Sequence, residues 1–152
     1  MSKSQQYEAA LQSIEALVDG ETDQIAVLST IACELFQAFD HFHWVGFYRR
    51  ISPDTLKVGP YQGGHGCLTI DVTRGVCGKC VREGQIQLEN DVNSVACHIA
   101  CSSETQAEIV LPIFDCAGEV WAVLDIDSVR RDVFDDVDVH YLSVISSMIY
   151  LG

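Results

Sequence analysis

Apolar positions along the first forty residues recur at helical spacing. Ala10, Leu11, Ile14, Leu17 and Val18 mark a helix over residues 5–19, which Gly20 stops. Thr22 is the expected cap of a second helix, with Asp23 in its first turn, where an acid suits the helix dipole. Ile25, Leu28, Ile31, Leu35 and Phe39 make up its apolar face. The pattern then changes. Residues 43–51, His-Trp-Val-Gly-Phe-Tyr-Arg-Arg-Ile, are aromatic and β-branched and predict a strand. Ser52-Pro53-Asp54 is a turn, and Thr55–Val58 opens a second strand. Gly59, Gly63, Gly64 and Gly66 fall within eight positions, which predicts a loop over 59–66. A short strand over 67–72, a short helix over 75–83, a strand over 85–89 and a polar loop over 90–106 follow. The strongest apolar runs, 107–114 and 119–127, are joined by Asp115–Gly118 as a hairpin. Asp135 caps a last helix that turns Val137, Tyr141, Val144, Ile145 and Met148 inward. Helices flanking a mostly antiparallel sheet make an α+β fold.

Composition narrows the function. A chain of 152 residues predicts one domain over 1–152, long enough to bury about 68–70% of its unfolded surface without a disulfide or metal staple. Nine lysines and arginines against 22 aspartates and glutamates give a formal charge of −13, which repels phosphate backbones and anionic membranes. No nucleic-acid partner and no membrane association are therefore expected. With no apolar run of membrane-spanning length and no signal-peptide pattern at Met1-Ser2-Lys3-Ser4, a cytoplasmic protein is expected. Seven cysteines, an odd number, argue against a disulfide framework and for thiols reduced at rest.

Three acids carry candidate chemistry. Along 123–127, Asp125 and Asp127 point to one face while Leu124 and Ile126 point to the other. Pairing through the Asp115–Gly118 turn, at residue numbers summing to about 233, sets Glu108 opposite Asp125. The acids then converge at one end of the sheet, where they would bind an ammonium or metal cation or hold a proton to donate. The plainer reading is a strand end hydrated by solvent. Trp44 and Tyr48 share a face with Gly46 between them, either as core packing or as an aromatic wall around a small ligand.

The cysteines admit two readings. Cys77-Gly78-Lys79-Cys80 followed by Cys97-His98-Ile99-Ala100-Cys101 is close to a zinc-ribbon spacing. Cys77 and Cys80 also form a dithiol motif, although the βαβ setting of thioredoxin-like proteins is missing. Cys101, in a polar loop beside His98, suits a reactive thiol; Cys33 suits packing, and Cys116 lies in a turn.

Gly59-Pro60-Tyr61-Gln62-Gly63, Cys67, Gly75-Val76-Cys77-Gly78, Asp91-Val92, His98-Ile99-Ala100-Cys101, Glu108-Ile109-Val110, Pro112-Ile113 and Leu124-Asp125-Ile126-Asp127-Ser128 together resemble the free methionine-(R)-sulfoxide reductases, enzymes of GAF-like fold. Trp44-Val45-Gly46-Phe47-Tyr48 is similar to that family's first strand. The resemblance implies that Cys101 attacks the sulfoxide, that Cys67 resolves the product, and that Cys77 is the third family cysteine. It implies that Glu108, Asp125 and Asp127 bind substrate between the walls of Trp44 and Tyr48. Free methionine sulfoxide is the implied substrate, a thioredoxin-like protein the reductant, and a homodimer the assembly. No cofactor and no metal are called for. Cys97 before His98, Ser102 after Cys101, and Cys80 in place of a small residue depart from the family pattern and leave the resolving thiol open. A GAF sensor that binds a small ligand without turnover, and a zinc module of Cys77, Cys80, Cys97 and Cys101, are the rival readings.

Overall fold

The computed structural model describes residues 1–94 and 104–149. Helices α1 (Lys3–Val18) and α2 (Gln24–Ala38) precede strands β1 (Phe42–Ser52), β2 (Thr55–Gly63) and β3 (Thr69–Asp71). Helix α3 (Gly75–Glu83), strand β4 (Gln87–Glu89) and a single 3₁₀ turn (Val92–Ser94) lead to β5 (Ala107–Phe114), β6 (Val120–Ser128) and α4 (Asp136–Ser147). The strands form one antiparallel sheet in the order β3-β2-β1-β6-β5-β4, as an α+β fold requires.

Strand alternation builds a different core on each face. Val45 and Phe47 of β1, Leu124 and Ile126 of β6, and Ile109 and Leu111 of β5 pack against Tyr7, Ile14, Leu28, Ile31, Leu35, Leu142 and Ile145 from α1, α2 and α4. Trp44, Tyr48, Val110 and Val123 face the other way and pack under Val76, Cys77, Cys80 and Val81 of α3. One buried acid ties the terminal helices together. Asp138 of α4 accepts from Lys3 Nζ at 2.7 Å, Tyr7 Oη at 2.6 Å and the Asp135 backbone at 2.8 Å.

Several sequence expectations shift. Asp23, not Thr22, caps α2, because its carboxylate accepts from the Ala26 amide while Glu21 takes the Thr22 and Asp23 amides. Ile25 is 54% exposed, and Ala32 takes the inward place on that helix. On α4 Leu142 and Ile145 are buried, whereas Val137, Tyr141, Val144 and Met148 are half-buried. Residues 59–63 continue β2 rather than forming a loop. Pro60 is tolerated because β3 pairs only with Thr55–Lys57, so no neighbour on that edge requires its missing amide hydrogen.

The β5–β6 register also differs by two positions. Glu108 lies opposite Asp127, and Val110 opposite Asp125. A bulge between Ile113 and Phe114, with Asp115 Oδ1 accepting from the Ala117 and Glu119 amides, lengthens the turn. A shift of two keeps every side chain on its expected face.

Candidate active site

Three adjacent strands set the constellation by register. Trp44 pairs with Asp127 and Gly46 with Asp125 across β1–β6, while Glu108 pairs with Asp127 across β5–β6. Side chains at these positions stand on the α3 face. Glu108 and Asp125 are 6% and 5% exposed, so neither acid is the hydrated strand end of the plainer reading.

Glu108 is hydrogen-bonded to both aspartates, which requires a proton within the cluster. Burial, then the Asp127 charge, push the Glu108 carboxyl up to about 8. Lost solvation, then the Asp125 charge, raise Asp127 well above the usual carboxylate range. The sheet thus holds a shared acid near neutrality and leaves negative charge beside it.

The N-terminal turn of α3 brings Cys77 onto the acids. Its Sγ and carboxylate oxygens of Glu108 and Asp125 all lie within 4.8 Å of one another, a set able to hold a cation. Burial, followed by the charges of Asp125 and Glu108, raises the Cys77 thiol well above its ordinary value, so it rests as SH. Burial and then Asp125 likewise keep Tyr48 a phenol.

Trp44 is packed into the core on the α3 face, 5% exposed. Its ring stacks on Tyr48 at 5.6 Å and on Tyr61 at 5.2 Å, and its Nε1 donates to the Gly64 carbonyl at 2.9 Å. Glycine leaves the room: a Cβ at Gly46 would stand 2.4 Å from the Trp44 ring and 2.4 Å from Tyr61 Cβ. Tyr61 and the Gly64 carbonyl were missed from sequence. A signal existed, since Tyr61 pairs with Gly46 in β2, a large ring covering a bare strand position.

Cys67 is half-buried, packs against the same cluster and is disulfide-bonded. Cys33, Cys77, Cys80 and Cys116 are free thiols, so the Cys67 partner lies outside the described residues. Cys101, Cys97 and His98, on which the nucleophile and the zinc-ribbon readings rest, also lie outside them. The residues flanking that segment are anchored at its base. Val92 N donates to Gln106 O at 2.9 Å, and Gln106 N donates to Ser128 O at 2.8 Å.

Comparison with known proteins agrees with this fold. Residues 23–151 match the GAF domain family model, which is the class that the fold and site define. GAF domain-containing protein A of Dictyostelium discoideum is 40% identical over 97% of this chain and 92% of that protein. The free methionine-R-sulfoxide reductase of Escherichia coli is 38% identical over 91% of this chain and 82% of its own length. The X-ray structure of free methionine-R-sulfoxide reductase from Neisseria meningitidis, in complex with its substrate, superposes with a TM-score of 0.92 at 38% identity, covering 98% of this chain and 89% of that one. The chain belongs to this family of GAF-fold oxidoreductases, the free methionine-R-sulfoxide reductases.

Proposed function

We propose that this enzyme reduces free L-methionine (R)-S-oxide to methionine. The observation that carries the reading is the acid triad on one sheet face, Glu108 and Asp125 buried against Cys77 and Asp127 half-buried beside them, next to the stacked Trp44 and Tyr48. A free amino acid brings an ammonium group that the ionised acids can pair, and a peptide-bound residue lacks it. Sulfoxide oxygen is a poor leaving group, and the shared proton on the cluster supplies the acid it needs. A sensor that only binds has no use for a proton donor held near neutrality.

The chemistry follows in balanced steps. The Cys101 thiolate attacks the sulfoxide sulfur while a carboxyl of the cluster protonates the oxygen. Methionine leaves, and Cys101 is left as a sulfenic acid. Cys67 attacks that sulfur, water departs, and a disulfide forms. The disulfide bond that Cys67 already makes supports its role as resolver. A thioredoxin-like dithiol reduces the disulfide and is itself oxidised. Cys77 holds its proton beside the acids. In this reading residues 1–152 act as one domain, in the cytoplasm, as a homodimer.

The test is a coupled reductase assay with both sulfoxide epimers, free and N-acetylated. Turnover of the free (R) epimer with strong rejection of its N-acetyl form is expected. Equal reduction of the two forms would show that the acids do not read an ammonium, and no turnover with any form would favour the sensor. Cys101→Ser is expected to abolish reduction, and turnover in that variant with dithiothreitol would remove Cys101 as nucleophile.

A further inference from the structure

Two free thiols on α3 have no assigned task beyond their place in the cluster. Cys77 and Cys80 stand one turn apart, 4% and 0% exposed, and Cys67 packs against the cluster that contains both. A disulfide and a dithiol therefore share one apolar cluster, the disulfide at its half-buried margin. We propose that Cys77 and Cys80 form a second, internal redox couple that takes over the oxidation from the Cys67 disulfide and returns the attacking thiols to use. This rests on the reductase reading above.

The exchange balances without an outside oxidant. Cys77 gives its proton to the neighbouring carboxylates of Glu108 and Asp125. Its thiolate attacks the Cys67 sulfur, and the partner thiolate of Cys67 leaves and is protonated. Cys80 then loses its proton and attacks the Cys77 sulfur, and Cys67 leaves as a thiolate and is protonated. One disulfide is reduced to two thiols, two thiols become one disulfide, and two protons change places.

Helix geometry sets the obstacle. Residues three apart on a helix have Cβ atoms about 5–6 Å apart, and a disulfide needs about 3.5–4.5 Å, so the turn must tighten by roughly 1–2 Å. The first turn of α3 is built to yield. Its N-cap, Arg74, makes no side-chain cap hydrogen bond, and Gly75 has φ +72°. Tightening toward 3₁₀ geometry eclipses side chains at i and i+3, bringing the two sulfurs together. Cys80 Sγ donates only a long, weak hydrogen bond to the Val110 carbonyl at 3.8 Å, which the tightening gives up.

The environment sets direction and pace. Burial, then the acids, hold Cys77 protonated, and burial, then Asp125, push Cys80 up to about 12. A dithiol without thiolate stabilisation of its reduced form is a good sink for oxidation. The same protonation makes the transfer slower than the first reduction.

Stoichiometry tests this. Fully reduced protein, freed of reductant and kept anaerobic, is mixed with excess free methionine-(R)-sulfoxide, and methionine is counted per chain. Wild type should release two, the second more slowly, with a Cys77–Cys80 disulfide found by alkylation and peptide mapping. Cys80→Ala should release one, a halving, and that first methionine certifies its fold; Cys80→Ser should do the same. Cys97→Ala should still release two. One methionine from wild type, two from the Cys80 variants, or one from Cys97→Ala would overturn the couple while leaving the reductase reading intact. None from wild type would overturn the reductase reading itself, and the couple with it.

Discussion

A carboxyl that keeps its proton up to about pH 8, as burial and the Asp127 charge dictate for Glu108, marks the pH profile of any reaction that consumes that proton. The kcat of sulfoxide reduction should fall as pH rises through that value. Glu108→Gln should lower kcat/KM about 10- to 100-fold, the worth of one charge-assisted contact, and abolish the falling limb. A pH–rate series on the two proteins checks this, and an unchanged falling limb in the variant would assign the proton elsewhere. Gly46 offers a second test. Any side chain there meets the Trp44 ring and Tyr61 at 2.4 Å, so Gly46→Ala should cost about 1–3 kcal/mol of stability and raise KM. Thermal denaturation and substrate titration measure the two effects separately.

At the scale of elements, the tie between α1 and α4 is the vulnerable joint. Asp138→Ala would leave the buried Tyr7 hydroxyl without its acceptor, while Lys3 would keep the Val133 carbonyl and the Asp135 carboxylate. The expected loss is about 1–3 kcal/mol, read as a lower denaturant midpoint, with Asp138→Asn less severe. How the elements formed was largely legible from sequence. Helical spacing placed α1, bracketing glycines placed α3 and apolar runs placed β5 and β6 near their observed bounds, and the alternation at 123–127 put Asp125 and Asp127 on one face. What escaped was set by tertiary partners. Residues 59–63 are a strand because β1 pairs with them, which overrides the glycines. Glu108 met Asp127 instead of Asp125 because of a bulge that no residue type announces. Trp44 and Tyr48 were legible as sharing one face, but the third ring of their stack, Tyr61, required the sheet order. Cys77 reached the acids through the fold of α3; the family resemblance named it as a third cysteine but did not set it beside them.

For the whole molecule, the acid cluster makes folding pH-dependent in an unusual direction. Glu108 rises from 4.5 to about 8 on folding, so between those values the folded state holds a proton that the unfolded chain has released. Stability of the ligand-free protein should therefore fall as pH rises through that window, by up to about 1.4 kcal/mol per pH unit for each such carboxyl. Asp127, also raised, acts with the same sign. Denaturant melts across the range check the slope, and Glu108→Gln should flatten it and be the more stable protein at its alkaline end. The formal charge of −13 adds a general self-repulsion, so moderate salt should raise the melting temperature at neutral pH.

Strand β6 reads both faces of the sheet in one register, acids into the site and Leu124 and Ile126 into the opposite core. Removing a single residue ahead of the two acids would rotate Asp125 and Asp127 into a hydrocarbon interior and turn leucine and isoleucine toward Glu108 and Cys77. Site and core therefore fail together, with no intermediate phenotype in which the protein folds but does not react. A scan of in-frame one-codon deletions should show a sharp gap across 121–128, while the exposed tip at Cys116, Ala117 and Gly118 absorbs the same lesion.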